Sequence, residues 1–89
     1  MKAQKIPYKN ILTIAGSDSG GCAGIQADIK SISASGAYTA SVITATTTQN
    51  TMGVFDIHPI PVAHIEKQLD AVFNDIKFDA IKIGRLQLL

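Results

Sequence analysis

Three short stretches hold the side chains best suited to bind or transform a small molecule. The first is Gly16-Ser-Asp-Ser-Gly-Gly-Cys-Ala-Gly24. Glycine removes the Cβ atom so that backbone can approach a ligand, and N–H groups at the start of a following helix favour partial negative charge. The segment is no Walker loop, having no Gly-Lys-Ser/Thr, and no dinucleotide fingerprint, having no Gly-x-Gly-x-x-Gly. A turn that needs glycines only for its shape has the same composition. Within it, Asp18 suits an Asx-turn or a helix cap, and Cys22 suits a small residue filling a tight turn.

Asp28 lies just beyond this loop and has two readings. One is an acidic residue favoured by the dipole in the first turn of a helix; the other is a carboxylate aimed into a pocket. Residue type and spacing alone favour the first. The third stretch is Gln49-Asn-Thr51. An amide has donors and an acceptor, the combination that reads the edge of a heteroaromatic ring, although a polar loop residue bonding its own backbone accounts for it as well. His58 and His64 are separated from any cysteine or carboxylate cluster, so no metal site is expected.

The apolar pattern supplies elements to position these residues. Residues 11–15 read as a buried strand that stops at glycine, and Ile25, Ile29 and Ile32 form one stripe of a helix ending near Gly36. Residues 40–46, rich in β-branched types, fit a second strand, with residues 49–53 a loop after it. Residues 54–59 read as a short extended piece at an edge, because proline cannot join a ladder. Pro61 is expected to open a second helix as its first residue, carrying Val62, Ile65, Leu69, Val72, Phe73 and Ile76 on one face. Residues 79–84 form a last strand.

The order β-α-β-(β)-α-β predicts an α/β fold with parallel strands joined by right-handed crossovers. Ligands bind at the carboxyl ends of such strands, which brings residues 16–24, 47–53 and 84–86 together. Two helices cover three or four strands poorly, and Leu86, Leu88 and Leu89 fall where a further helix is expected. The chain therefore reads as one partial domain, with residues 1–9 a flexible leader.

Bulk properties exclude several classes. The 89 residues are 46% hydrophobic and 17% charged, with a formal charge of +1, which describes a globular core. The basic residues are scattered, so neither nucleic acid nor an anionic membrane is an expected partner. The apolar stretches are too short to span a bilayer, and the start lacks the apolar core of a signal peptide. Cys22 is the only cysteine, which excludes an internal disulfide and suits a reducing cytoplasm.

Residues 11–30, Ser41-Val-Ile-Thr-Ala45, Gln49-Asn-Thr51 and Ile81-Lys-Ile-Gly84 together resemble the start of the bacterial hydroxymethylpyrimidine/phosphomethylpyrimidine kinases of thiamine biosynthesis. The likeness runs from Ile11 to Gly84, the first third of that family's domain. It implies the N-terminal part of a ribokinase-like three-layer fold with a mostly parallel central sheet. It also implies ATP- and Mg²⁺-dependent phosphorylation of 4-amino-5-hydroxymethyl-2-methylpyrimidine and its monophosphate, and it allows a homo-oligomer of the full-length protein. Gly16, Ala23, Asp28 and Gln49 then become substrate-binding residues, with Asp18, Cys22, Thr47 and Arg85 as further candidates for the pocket wall.

Departures from the pattern are Cys22 for a usual glycine, the polar run Thr46-Thr-Thr48, and Arg85 where methionine is usual. A cation at Arg85 suits an aminopyrimidine poorly. The family's glycine-rich catalytic motif and most of its ATP contacts lie downstream, so no catalytic residue is identified in this chain. Two alternatives stand beside this reading. One is a pyridoxal-type kinase of the same superfamily; the other is a truncated product that is inert, binds ligand weakly or depends on a partner.

Overall fold

The computed structural model describes residues 9–84. Its elements run β1 (Asn10–Ala15), α1 (Gly24–Ala34), β2 (Tyr38–Ile43), β3 (Ala45–Asn50), β4 (Gly53–Pro59), α2 (Val62–Phe73) and β5 (Ala80–Ile83). Strands β2, β1 and β5 form a parallel sheet in that order, with Thr13 opposite both Ser41 and Lys82. Helix α1 packs on β1 and β2, while α2 packs on β2. The chain moves to one side of β1 through α1 and to the other through α2. Right-handed crossovers in opposite directions place the two helices on opposite faces, the start of a three-layer arrangement.

The buried apolar residues are Leu12, Ala15, Ile25, Val42, Ala45 and Ile76. Leu12 and Val42, both fully buried, come from neighbouring strands, and burying side chains of this size contributes about 1.5–3 kcal/mol each. Asn10 fastens the start of the sheet: its N–H donates to Asp79 Oδ2 at 2.7 Å and its side-chain amide to the Lys77 carbonyl at 3.0 Å. Helix α1 ends where glycine was expected to end it. Gly36 has φ +91°, a conformation glycine adopts without strain, and its N–H bonds the Ser33 carbonyl.

Several expectations need correction. The strand expected at 40–46 is two strands, broken at Thr44, whose N–H donates to the Ala15 carbonyl and whose carbonyl accepts from Ile60. The loop expected at 49–53 shrinks to a turn at Thr51-Met52, because β3 continues through Gln49 into an antiparallel hairpin with β4. Threonine is β-branched and suits a pleated surface, so Thr46-Thr-Thr48 pairs as a strand although it is polar, and composition hid this strand. Pro61 is the residue before α2, and Gln68 on that helix bonds both the N–H and the carbonyl of Ile43 at 2.9 Å.

The α1 stripe is also rotated. Ile25 is buried, but Ile29 is 36% exposed, and Asp28 turns inward in its place. Helix α1 opens at Gly24, so Asp28 stands in the second turn and not the first. That position removes the dipole reading, whose influence fades beyond the first turn.

Candidate functional site

A cavity of about 420 Å³ opens where the ends of β1 and β5 meet the 16–24 loop and the β3–β4 hairpin. Such a volume suits a small heterocycle. Three groups of residues build it.

The first wall is the glycine loop, and its geometry is set by one close approach and one carboxylate. Gly24 has φ +61°, and a Cβ there would collide with the Gly16 carbonyl oxygen, which accepts the Ile25 N–H at 2.8 Å. Only glycine fits that position without strain. Asp18 organises the rest: its carboxylate accepts the N–H groups of Gly20 at 2.7 Å, Cys22 at 3.0 Å and Ala23 at 2.8 Å. Burial pushes this carboxyl up. The bonds from Gly20, Ala23 and Cys22, with one from the Gln49 side chain, outweigh burial and hold it below the usual carboxylate value. The Asx-turn expected at Asp18 is present, whereas the residue preceding α1 is Ala23 and carries no side-chain cap. The amides that the sequence offered to a ligand are thus held by the loop's own carboxylate.

The second wall is β3. The Thr47 hydroxyl donates to the Ser17 carbonyl at 2.7 Å, tying strand to loop. Gln49 sits at a register shift after Thr48, where Thr48 faces Asp56 and Gln49 faces Val54. A bulge leaves backbone groups to be satisfied from outside the ladder. The Ser19 hydroxyl does so, accepting the Gln49 N–H at 2.7 Å and donating to its carbonyl. Val54 and Ile57 of β4 add apolar surface to the same cavity.

The base of the cavity joins three elements. Asp28 of α1, 9% exposed, accepts the Thr13 hydroxyl on Oδ2 at 2.7 Å and the Lys82 ammonium on Oδ1 at 2.5 Å. Thr13 and Lys82 are register partners on adjacent parallel strands, so their side chains share the face that α1 covers. Burial raises the Asp28 carboxyl. The Lys82 and Thr13 hydrogen bonds and the Lys82 charge more than offset it, leaving the group below its ordinary value and ionised at neutral pH. Gly84 closes the corner, since a Cβ there would stand 2.9 Å from that of Ala15.

Gly16, Asp18, Ala23, Asp28, Thr47 and Gln49 all line this one cavity. Cys22 is exposed and is not part of the lining, and Arg85 lies outside the described residues. Thr13, Ser19 and Lys82 escaped the sequence reading. The available signal was a polar residue inside an apolar strand, at Thr13 in residues 11–15 and at Lys82 in residues 80–83. A polar side chain in a sheet covered on both faces calls for a partner.

The arrangement has an ionised acceptor, an ammonium and an amide around a half-apolar space. It suits a small ring bearing both a donor and an acceptor. Among the described residues no cluster of His, Cys, Asp or Glu could hold a metal ion, and no helix is long and apolar enough to cross a membrane.

Comparison with known proteins places the chain beside vitamin-pathway kinases. The family model for phosphomethylpyrimidine kinase matches residues 18–88. A hydroxymethylpyrimidine/phosphomethylpyrimidine kinase of Haemophilus influenzae is 60% identical over 78 residues, covering 88% of this chain and 29% of that protein. The crystal structure of phosphomethylpyrimidine kinase from Clostridium difficile superposes with a TM-score of 0.87 at 55% identity, over 90% of this chain and 35% of that one. A pyridoxal kinase from Staphylococcus aureus, in complex with pyridoxal, gives a TM-score of 0.81 at 38% identity, over 91% of this chain and 30% of that one.

Proposed function

Since this chain belongs to the phosphomethylpyrimidine kinase family, we propose that its cavity is the aminopyrimidine-binding side of a thiamine-pathway kinase. The chain spans 29% of the length of the Haemophilus influenzae relative. The carrying observation is that Asp28 and Gln49, from different elements, line one cavity with Gly16 and Ala23. The ionised Asp28 accepts from the exocyclic amino group, and the Gln49 amide meets a ring nitrogen. Val54 and Ile57 cover the ring's apolar surface.

The reaction in this reading is ATP-dependent phosphorylation of 4-amino-5-hydroxymethyl-2-methylpyrimidine and then of its monophosphate. The described residues do not fit the nucleotide or Mg²⁺. The loop amides from Gly20 to Ala23 are engaged by Asp18, and no metal-holding cluster is present among them. Phosphoryl transfer needs a metal, an activated hydroxyl and donors to the developing charge. Those parts fall to the remainder of a kinase of the relatives' length, while this segment binds and orients the ring. A cytoplasmic location belongs to the same reading.

Amide NMR spectra of the 89-residue chain, titrated with the aminopyrimidine and separately with pyridoxal, test this. The expected result is saturable shifts at Gly16, Asp28 and Gln49, stronger for the aminopyrimidine. Shifts confined to other residues, or tighter binding of pyridoxal, would overturn the assignment.

A further inference from the structure

The cavity contains one charged group that neither the sequence pattern nor the ligand chemistry required. Lys82 lines the cavity from β5, and its side chain is 56% exposed. Its only hydrogen-bond partner among the described residues is Asp28. Asp28 in turn is fixed from two sides, by Thr13 on one oxygen and Lys82 on the other. An ionised carboxylate has about four acceptor sites, so two remain for a ligand. Both anchors come from strands, and strands hold their side chains more rigidly than the 16–24 loop could.

We propose that Lys82 is a positioning residue that acts through Asp28, holding the carboxylate against Thr13 so that its remaining acceptor sites serve a ligand's amino group. This rests on the aminopyrimidine reading of the cavity. Lys82 does not itself need to touch the ring. Without the ammonium, burial is opposed only by the neutral Thr13 hydroxyl. A protonated Asp28 would then present a donor where the ligand also has a donor. The other charged group facing this space is Asp18, from the loop; β1 and β3 contribute the neutral Thr13, Thr47 and Gln49. Lys82 is more than half exposed, so a neutral side chain of similar length leaves no buried gap.

The test compares the 89-residue chain with Lys82→Met and Lys82→Arg. The carboxyl ¹³C signal of Asp28 is followed during acid titration, and the Kd for 4-amino-5-hydroxymethyl-2-methylpyrimidine is measured across the same pH range. Lys82→Met is expected to move the Asp28 titration to higher pH and to weaken binding about tenfold, the scale of one charge-assisted hydrogen bond. That loss grows as pH falls, and Lys82→Arg restores both properties. An Asp28 titration unmoved by Lys82→Met would overturn the proposal, as would equal, pH-independent weakening by both variants. If the unaltered chain fails to bind the aminopyrimidine, the reading of the cavity fails. The Asp28 titration then decides the role of Lys82 alone: a shift upward in Lys82→Met supports it, and no shift removes it.

Discussion

Asp18 and Asp28 line the same cavity, both are buried, and both are held below the ordinary carboxylate value, yet they are stabilised in opposite ways. Asp18 is bound mainly by backbone N–H groups two to five residues along the chain, at Gly20, Cys22 and Ala23, with one further bond from the Gln49 side chain. Asp28 is bound by side chains 15 and 54 residues away, Thr13 and Lys82. The first is a local fold of the backbone around an anion. The second exists only once β1, α1 and β5 have assembled. The loop therefore shapes the cavity, while the cross-strand cluster supplies its available chemistry.

Substitutions can break this contrast, beginning with the loop's geometry. Gly24→Ala places a Cβ against the Gly16 carbonyl at φ +61° and should cost at least about 2 kcal/mol, read as a lowered urea midpoint. A change within about 0.5 kcal/mol would mean that the loop relaxes freely and does not shape the cavity. Thr13→Val removes one donor to Asp28 while keeping the side chain's shape. The buried carboxylate keeps Lys82, so the expected loss is smaller, about 1–2 kcal/mol by thermal or urea unfolding. If Thr13→Val destabilises more than Gly24→Ala, the cluster and not the loop dominates the architecture.

Acid should act on both carboxylates with the same sign. Each has its folded value depressed below the ordinary 3.8. The stability each contributes is complete above that unfolded value and is lost as pH falls through the depressed folded value. Asp18→Asn and Asp28→Asn should therefore each make the acid limb of a stability-against-pH curve shallower, leaving its neutral limb unchanged in slope. An unaltered acid limb in either variant would show that carboxylate to be unperturbed by folding.

The same contrast explains what could be read from the sequence. The Gly16–Gly24 loop, the Asx-turn at Asp18 and the glycine end of α1 depend on a few adjacent residues, and all were legible. So was the parallel β-α-β order, which follows from periodicity, whereas Pro59, expected to stay out of a ladder, pairs with Ala45 at the end of β4. The β3 strand was missed because its alternation is among polar residues, with Thr47 and Gln49 half-buried between the exposed Thr46, Thr48 and Asn50, and such a run resembles a loop by composition. Gln49 was found for its amide, but Ser19, which pins its backbone at the bulge, is 30 residues away. Lys82 is illegible in the sequence alone, since only the register Thr13 to Lys82 reveals that it meets Asp28. The inward turn of Asp28 at the expense of Ile29 likewise needs the partners to be known first.

The central claim is that Asp28 and Gln49 bind the ring of an aminopyrimidine. Calorimetric titration of 4-amino-5-hydroxymethyl-2-methylpyrimidine into the unaltered chain, Asp28→Ala and Gln49→Ala measures it directly. Each substitution should weaken binding by about 1–3 kcal/mol while the far-ultraviolet circular dichroism spectrum stays unchanged. Affinity equal to that of the unaltered chain in both variants would contradict the account and return the two residues to purely structural roles.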